Sequence, residues 1–463
     1  PGDRKFIRTT SGNNDRNGYD VNLNYDKKFN NPKQKLTTYA RFSDGINDGL
    51  DEYYNTDNGG GDYVNLDRAA NGQDGTSSGY DFKLDYIHPF NEGSKLEVGF
   101  ASKSTDRGDS QIAEIFNEAT NSFVSDREFS NEFEYNETVH AAYLQYGGSI
   151  GFFGINAGGR YETVDMFSEL KTTNEKFKNP YSSFYPSLSV TFGAPQLLQI
   201  QTSYSKRVNR PRSRMINPFS SRQDNKNIRV GNPFLKPEYT DSYEINFSRF
   251  SRGLSLSLGG YYRHTTDKMQ RHKEMRADGV SVATYANIKD QKTQGIDYSV
   301  VGSLGKKLRL MFSGSVFWDE INTDLYGSDY DNTAQGQRLR FTTMWNINPT
   351  TEFSFFMFYM PARDIAIGRM DAMSFSSMSV KKKFMDERFN LTLNVGDPFN
   401  LSGFSFYTSG DNWEQESSRN WSSRTIRLTL EYRFGKMEDK SRYSRQRGRG
   451  QGMDMEEGAG EIF

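Results

Sequence analysis

Four arginines, Arg207, Arg210, Arg212 and Arg214, stand within one stretch of eight residues. A guanidinium is a permanently charged planar fork that matches carboxylate and phosphate oxygens. Such a cluster suits an anionic substrate, for example a metal chelate or a sugar acid. The same charges also serve a plainer role, keeping a polar wall wet and pairing with its acids. Trp413 and Trp421, with Tyr53 and Tyr54, offer flat faces for a sugar or an aromatic chelate. The two tryptophans are also near enough in sequence to pack within their own loop. A third group is acidic: Asp44, Asp48, Asp51, Glu52, Asp57, Asp62 and Asp67 surround Gly59, Gly60 and Gly61. Hard oxygen ligands on a glycine-rich loop suit calcium, and Asp57 and Asp62 flank the glycines, but their order matches no known calcium loop. The four histidines, His88, His140, His264 and His272, are scattered. No zinc-binding His-Glu-x-x-His helix, nucleophile elbow or phosphate loop is present. The chain reads as a non-enzyme, with no cofactor expected.

The elements that position these groups follow from composition and pattern. Of 463 residues only 34% are apolar, and the mean hydropathy is -0.81. Yet there are 35 Phe, 27 Tyr and 4 Trp, which a disordered chain would lack. The longest apolar run, 355–360, falls far short of the roughly 20 residues of a spanning helix. Fifty-eight basic against 59 acidic residues leave no electrostatic footprint for nucleic acid. With no cysteine, disulfides and thiolate metal sites are excluded. No signal peptide is legible behind Pro1, since Asp3, Arg4 and Lys5 follow, so the chain reads as mature, processed or a fragment.

A two-residue period dominates. Ile426, Leu428, Leu430, Tyr432 and Phe434 alternate with Thr425, Arg427, Thr429, Glu431 and Arg433, giving a strand one apolar and one polar face. The period recurs at Phe389, Leu391, Leu393 and Val395, at Leu308, Leu310, Phe312, Gly314, Val316 and Trp318, and at Val21, Leu23 and Tyr25. Compact links and long polar segments then take turns. The compact ones lie at 30–34, 91–94, 147–151, 193–195, 251–253, 305–306, 348–350 and 385–387. The long ones are 46–79, 109–132, 171–182, 210–238, 269–287, 322–335, 361–372 and 398–423. A soluble sandwich also alternates, but it has no reason to collect its long loops at one end. An antiparallel outer-membrane β-barrel does, with an apolar exterior in contact with lipid and a polar lumen. Phe29, Phe90 and Phe192 beside short turns suit an interfacial girdle. The pattern predicts an all-β transmembrane barrel with about 18 strands over 1–434. The basic-then-acidic stretch 435–463 lacks a core-forming pattern and reads as a flexible periplasmic tail.

The most specific stretch is 207–247. Arg207, Asn209, Arg210 and Pro211 lead to Asn217, Pro218 and Phe219. Gly231, Asn232, Pro233, Leu235, Lys236, Pro237 and Glu238 follow, then Ser242 and Glu244. This run resembles the barrel of TonB-dependent receptors, particularly the Bacteroidetes type, and 431–436 is similar to that family's barrel terminus. The resemblance is sharp over roughly 200–250. It implies a 22-stranded barrel around an N-terminal plug, with a TonB-binding segment and in some members a surface lipoprotein. Plug, TonB segment and about four strands are not in this sequence, so the chain reads as the C-terminal part of such a receptor. Read physically, Pro233 and Pro237 deny a sheet two donors, so the run is a stiff lead-in to the strand near Tyr239. The function implied is active uptake of a metal chelate, glycan or peptide. A passive porin-like channel, or a binding or structural component of a larger complex, is the alternative.

Overall fold

The computed structural model describes residues 6–57, 64–127, 129–194, 198–224, 227–276, 280–323, 332–365, 368–410, 413–419 and 424–434. Contacts divide the chain into two units. One takes the described residues of Pro1–Phe192, Gln201–Tyr243 and His264–Asp290; the other takes those of Gly193–Ile200, Glu244–Arg263 and Gln291–Phe463.

In the first unit each strand pairs antiparallel with the next. Phe6–Lys28 lies against Lys35–Asp57, then follow Val64–Pro89, Ser94–Asn117, Asn131–Ile150, Phe153–Leu170 and Tyr181–Ala194. The second unit repeats this plan from Leu308–Asn322 through Asn332–Asn348, Thr351–Met360, Met373–Phe384 and Phe389–Gly396 to Thr425–Tyr432. A separate four-stranded sheet there is built from Arg363–Ile365, Gly368–Met370, Phe404–Gly410 and Trp413–Arg419. Among the described residues, 17 strands have eight or more residues, close to the 18 expected from alternation.

Most compact links fall at or beside the expected positions; the one expected at 147–151 turns at 151–152, because its strand pairs on to Ile150, and residue 195 of the link 193–195 lies outside the described residues. Gly151, Gly253 and Gly305 take positive φ there, which glycine adopts without steric cost. The long segments depart from expectation. Segment 46–79, read as a loop, is mostly ladder, because its flanking strands run on to Asp57 and from Val64. Segments 109–132 and 269–287 likewise hold strand to Asn117 and to Met275. The first four strands have 23, 23, 26 and 24 residues, about twice the 9–11 that cross a bilayer.

Rung by rung, the ladders show where the character changes. Leu36 faces Tyr86, Thr38 faces Leu84, Ala40 faces Phe82 and Phe42 faces Tyr80; the next rungs on that face are Asp44 with Ser78 and Ile46 with Thr76. On the neighbouring hairpin Val98 faces Leu144 and Phe100 faces Ala142. Beyond them Ser102 bonds His140 at 2.9 Å and Ser104 bonds Thr138 at 3.1 Å. In the first unit Leu23, Phe42, Val98 and Leu144 are exposed, and in the second unit Leu258 and Leu428 are exposed too. Within each unit such an exposed apolar face marks a surface that meets something other than water.

Candidate functional site

The site takes shape on the opposite, polar face of the first unit. Gly99 faces Tyr143, and Tyr143 faces Arg160 on the following strand. A Cβ at Gly99 would lie 2.1 Å from the Tyr143 ring, so only glycine lets the ring lie over the neighbouring strand. The Arg160 guanidinium sits 5.7 Å from the same ring, in cation–π range. Arg160 Nε donates to Glu162 at 2.6 Å. The Glu162 carboxylate is 5% exposed and also receives Arg210 Nη2. Arg210 Nε donates to the Tyr181 hydroxyl at 2.8 Å. Burial works against the Arg210 charge; Tyr181, Glu162 and Glu137 outweigh it and hold its pKa above the ordinary guanidinium value.

Above this ladder the 207–247 segment folds back onto the strand ends. Pro211 is fully buried, and one helical turn, Ser213–Ile216, follows. Ile216 and Leu235, 2% and 1% exposed, join Phe133, Tyr135, Met166 and Leu170 in one apolar cluster. Met215, Phe219, Met269 and Tyr285 pack around it. These residues would be out of place on a polar wall; here they cover one another.

Backbone groups of the proline-rich run find partners outside any ladder. Gly231 N donates to Asn217 O at 2.8 Å and Asn232 N to Met215 O at 2.7 Å. Asn179 Nδ2 donates to Leu235 O, and Asn232 Nδ2 to Tyr285 O. The Asn287 amide accepts from Lys236 N and donates to Lys236 O and Asp267 O. Side-chain amides thus do here what a neighbouring strand does elsewhere. Glu238, 5% exposed, accepts from Asn209 Nδ2 at 2.8 Å and Met269 N at 2.9 Å, with Lys268 Nζ at 3.4 Å. Its buried charge is compensated on every side.

The four arginines do not converge. Arg210 turns inward to Glu162, whereas Arg207, Arg212 and Arg214 are exposed. Trp413 opens the strand Trp413–Arg419 opposite Gly410. Trp421, Asp62 and the tail 435–463 lie outside the described residues. Asp57 ends its strand, paired with Phe6 and Val64. Among the described residues no group of three or more His, Asp and Glu is placed to hold a metal ion. His264 and His272, on one strand, face different acids, Asp290 at 3.7 Å and Glu274 at 2.8 Å. The residues that sequence missed are the partners Glu162, Tyr181 and Asn287; Glu238 stood in the motif, but without its buried role. An acid between two apolar-face positions of a strand was the available signal for Glu162, but nothing in the sequence names its arginine.

Comparison with known proteins fits this geometry. A model of the outer membrane protein beta-barrel family matches residues 27–432. Among solved structures, the unliganded ferric citrate transporter FecA is similar at 12% identity and a TM-score of 0.55, over 86% of this chain and 61% of that one. The copper transporter OprC is similar at 11% and 0.59, over 87% and 66%. The FrpB iron transporter from Neisseria meningitidis, F5-1 variant, gives 12% and 0.55, over 90% and 73%. This chain therefore spans less than two thirds of the length of the first two. No curated protein matches it in sequence. At such identities the likeness is one of fold. That fold, the exposed apolar faces and the family match over 27–432 agree: the chain belongs to the outer membrane protein beta-barrel family and crosses the outer membrane as an antiparallel β-barrel.

Proposed function

We propose that the chain forms wall and outer loops of a transporter that takes up a nutrient across the outer membrane, energised by TonB. The observation that carries this reading is the opposition of faces. An exposed apolar face meets lipid while the other face of the same strands is lined by Arg160, Glu162 and their neighbours, as a watery pathway needs. The solved structures of like fold are transporters of ferric citrate, copper and iron. The resemblance of 207–247 to Bacteroidetes-type TonB-dependent receptors supports the energised mode over a passive pore. On this reading a plug and further strands complete the barrel, 435–463 extends into the periplasm, and a surface lipoprotein is a candidate cap. The protein binds and moves its cargo and performs no covalent chemistry on it. Metal chelates, glycans and peptides are the cargo classes.

The test is uptake by native cells lacking this protein, measured for labelled nutrients of the three classes with and without a protonophore. Loss of one nutrient's energised uptake is the expected result. Uptake that is lost yet indifferent to the protonophore would make the barrel a passive channel. Unchanged uptake of every class would end the transport reading.

A further inference from the structure

One aromatic in the second unit is out of step with its strand. On Leu308–Asn322 the apolar face carries Phe312 and Trp318, both exposed, whereas Phe317 lies on the other face with Ser315 and Asp319. Its ring is 6% exposed. Directly opposite stands Gly336, where a Cβ would come within 2.1 Å of the ring. The ring thus rests on the glycine, held by the neighbouring strand. Two cations share it. Arg338, two residues beyond Gly336 on the same face, places its guanidinium carbon 5.2 Å from the ring centroid. Arg363, from the short strand Arg363–Ile365 of the separate sheet, places its own at 5.5 Å.

Two like charges over one ring repel, and cation–π attraction offsets only part of that. Burial and the nearby Arg338 both push the Arg363 pKa down, with Asp319 opposing. Asp319 is already engaged: its Oδ1 accepts from Thr293 at 2.6 Å and Gln291 at 3.2 Å. Neither arginine makes an ion pair among the described residues, and Arg363 Nε is buried with no hydrogen-bond partner. Elsewhere in the chain a half-buried arginine has its carboxylate, as Arg210 has Glu162. Here no described residue supplies that carboxylate. Arg338 lies toward the long-link end of its strand, on the face opposite the exposed Phe312 and Trp318, so a lipid headgroup is not the natural occupant.

We propose that Arg338, Phe317 and Arg363 form a binding site for a small ligand bearing two or more carboxylate or phosphate groups. Two planar forks supply paired donors to two anionic groups, and the ring fixes both arginines before the ligand arrives. The proposal rests on the transport reading and names the charge class of the cargo.

Titration calorimetry on the full chain in detergent tests it, with citrate and pyrophosphate as polyanions and maltotriose as the neutral control. At least one polyanion should bind and maltotriose should not. Arg338→Gln and Arg363→Gln should each weaken binding about tenfold, the effect of one lost charge-assisted hydrogen bond. Arg363→Lys, which keeps the charge without the fork, should fall between. Arg369→Gln, in the same small sheet but exposed and paired with Asp364, should bind as the parent does. Binding of neither polyanion would overturn the proposal, as would equal weakening by Arg369→Gln. Such a result leaves the transport reading standing. Uptake indifferent to energy would defeat that reading and leave the site.

Discussion

Arg210 and Glu162 are 48 positions apart, yet their side chains pair where the proline-rich segment meets the polar face of Phe153–Leu170. Glu162 is nearly inaccessible, so each group depends on the other. Removing one partner of a buried pair leaves an uncompensated charge, at a cost of about 3 kcal/mol. Arg210→Ala should therefore lower the unfolding free energy by about 3 kcal/mol, read from the fall in the urea midpoint in detergent. Arg210→Met with Glu162→Gln should recover a good part of it. An unchanged midpoint for Arg210→Ala would mean that water screens the pair.

The Leu235 side chain is the keystone of the apolar cluster beneath the 207–247 segment. Leu235→Ala removes buried carbons and opens a cavity, with an expected loss of about 2–5 kcal/mol. Leu235→Met keeps the volume and should cost below about 1.5 kcal/mol. Equal effects of the two would show that the cluster is loosely packed.

Gly99 makes room for the Tyr143 ring. Gly99→Ala should destabilise by about 1–3 kcal/mol, since the ring must leave its place. In Tyr143→Ala the space is free, so adding Gly99→Ala should cost little more. Additive losses in the double variant would contradict the contact.

On Thr425–Tyr432 the two faces predict opposite responses to charge. Leu428→Lys puts an ammonium toward lipid and should cost about 2–4 kcal/mol near the midplane. Thr429→Lys points to the polar face and should be nearly neutral. Folding yields into phospholipid vesicles would separate them.

Much of this architecture is legible in the sequence, for a physical reason. Where one face meets lipid, Ile426, Leu428 and Leu430 must alternate with Arg427 and Thr429, and the period announces the strand. Turns such as 251–253 announce themselves by a glycine that takes positive φ. Segments 46–57 and 64–79 lack a sustained apolar period and read as loop, although their backbones pair, with one register shift at Asn55 and Thr56. The arginine cluster was visible, but not its dispersal. Which carboxylate receives Arg210 depends on strands brought together by the ladder. Phe317 was legible only as a break in alternation, and its two arginines come from other elements.

The central claim is that alternate residues of these strands face lipid and water. The chain has no cysteine, so single cysteines at 426 to 431 can each carry a spin label without background. Collision rates with oxygen and with a water-soluble nickel complex in vesicles then report the environment of each position. The account predicts high oxygen contact at Ile426, Leu428 and Leu430, and high nickel contact at Arg427, Thr429 and Glu431. Uniform access to nickel at all six would contradict a membrane-spanning strand.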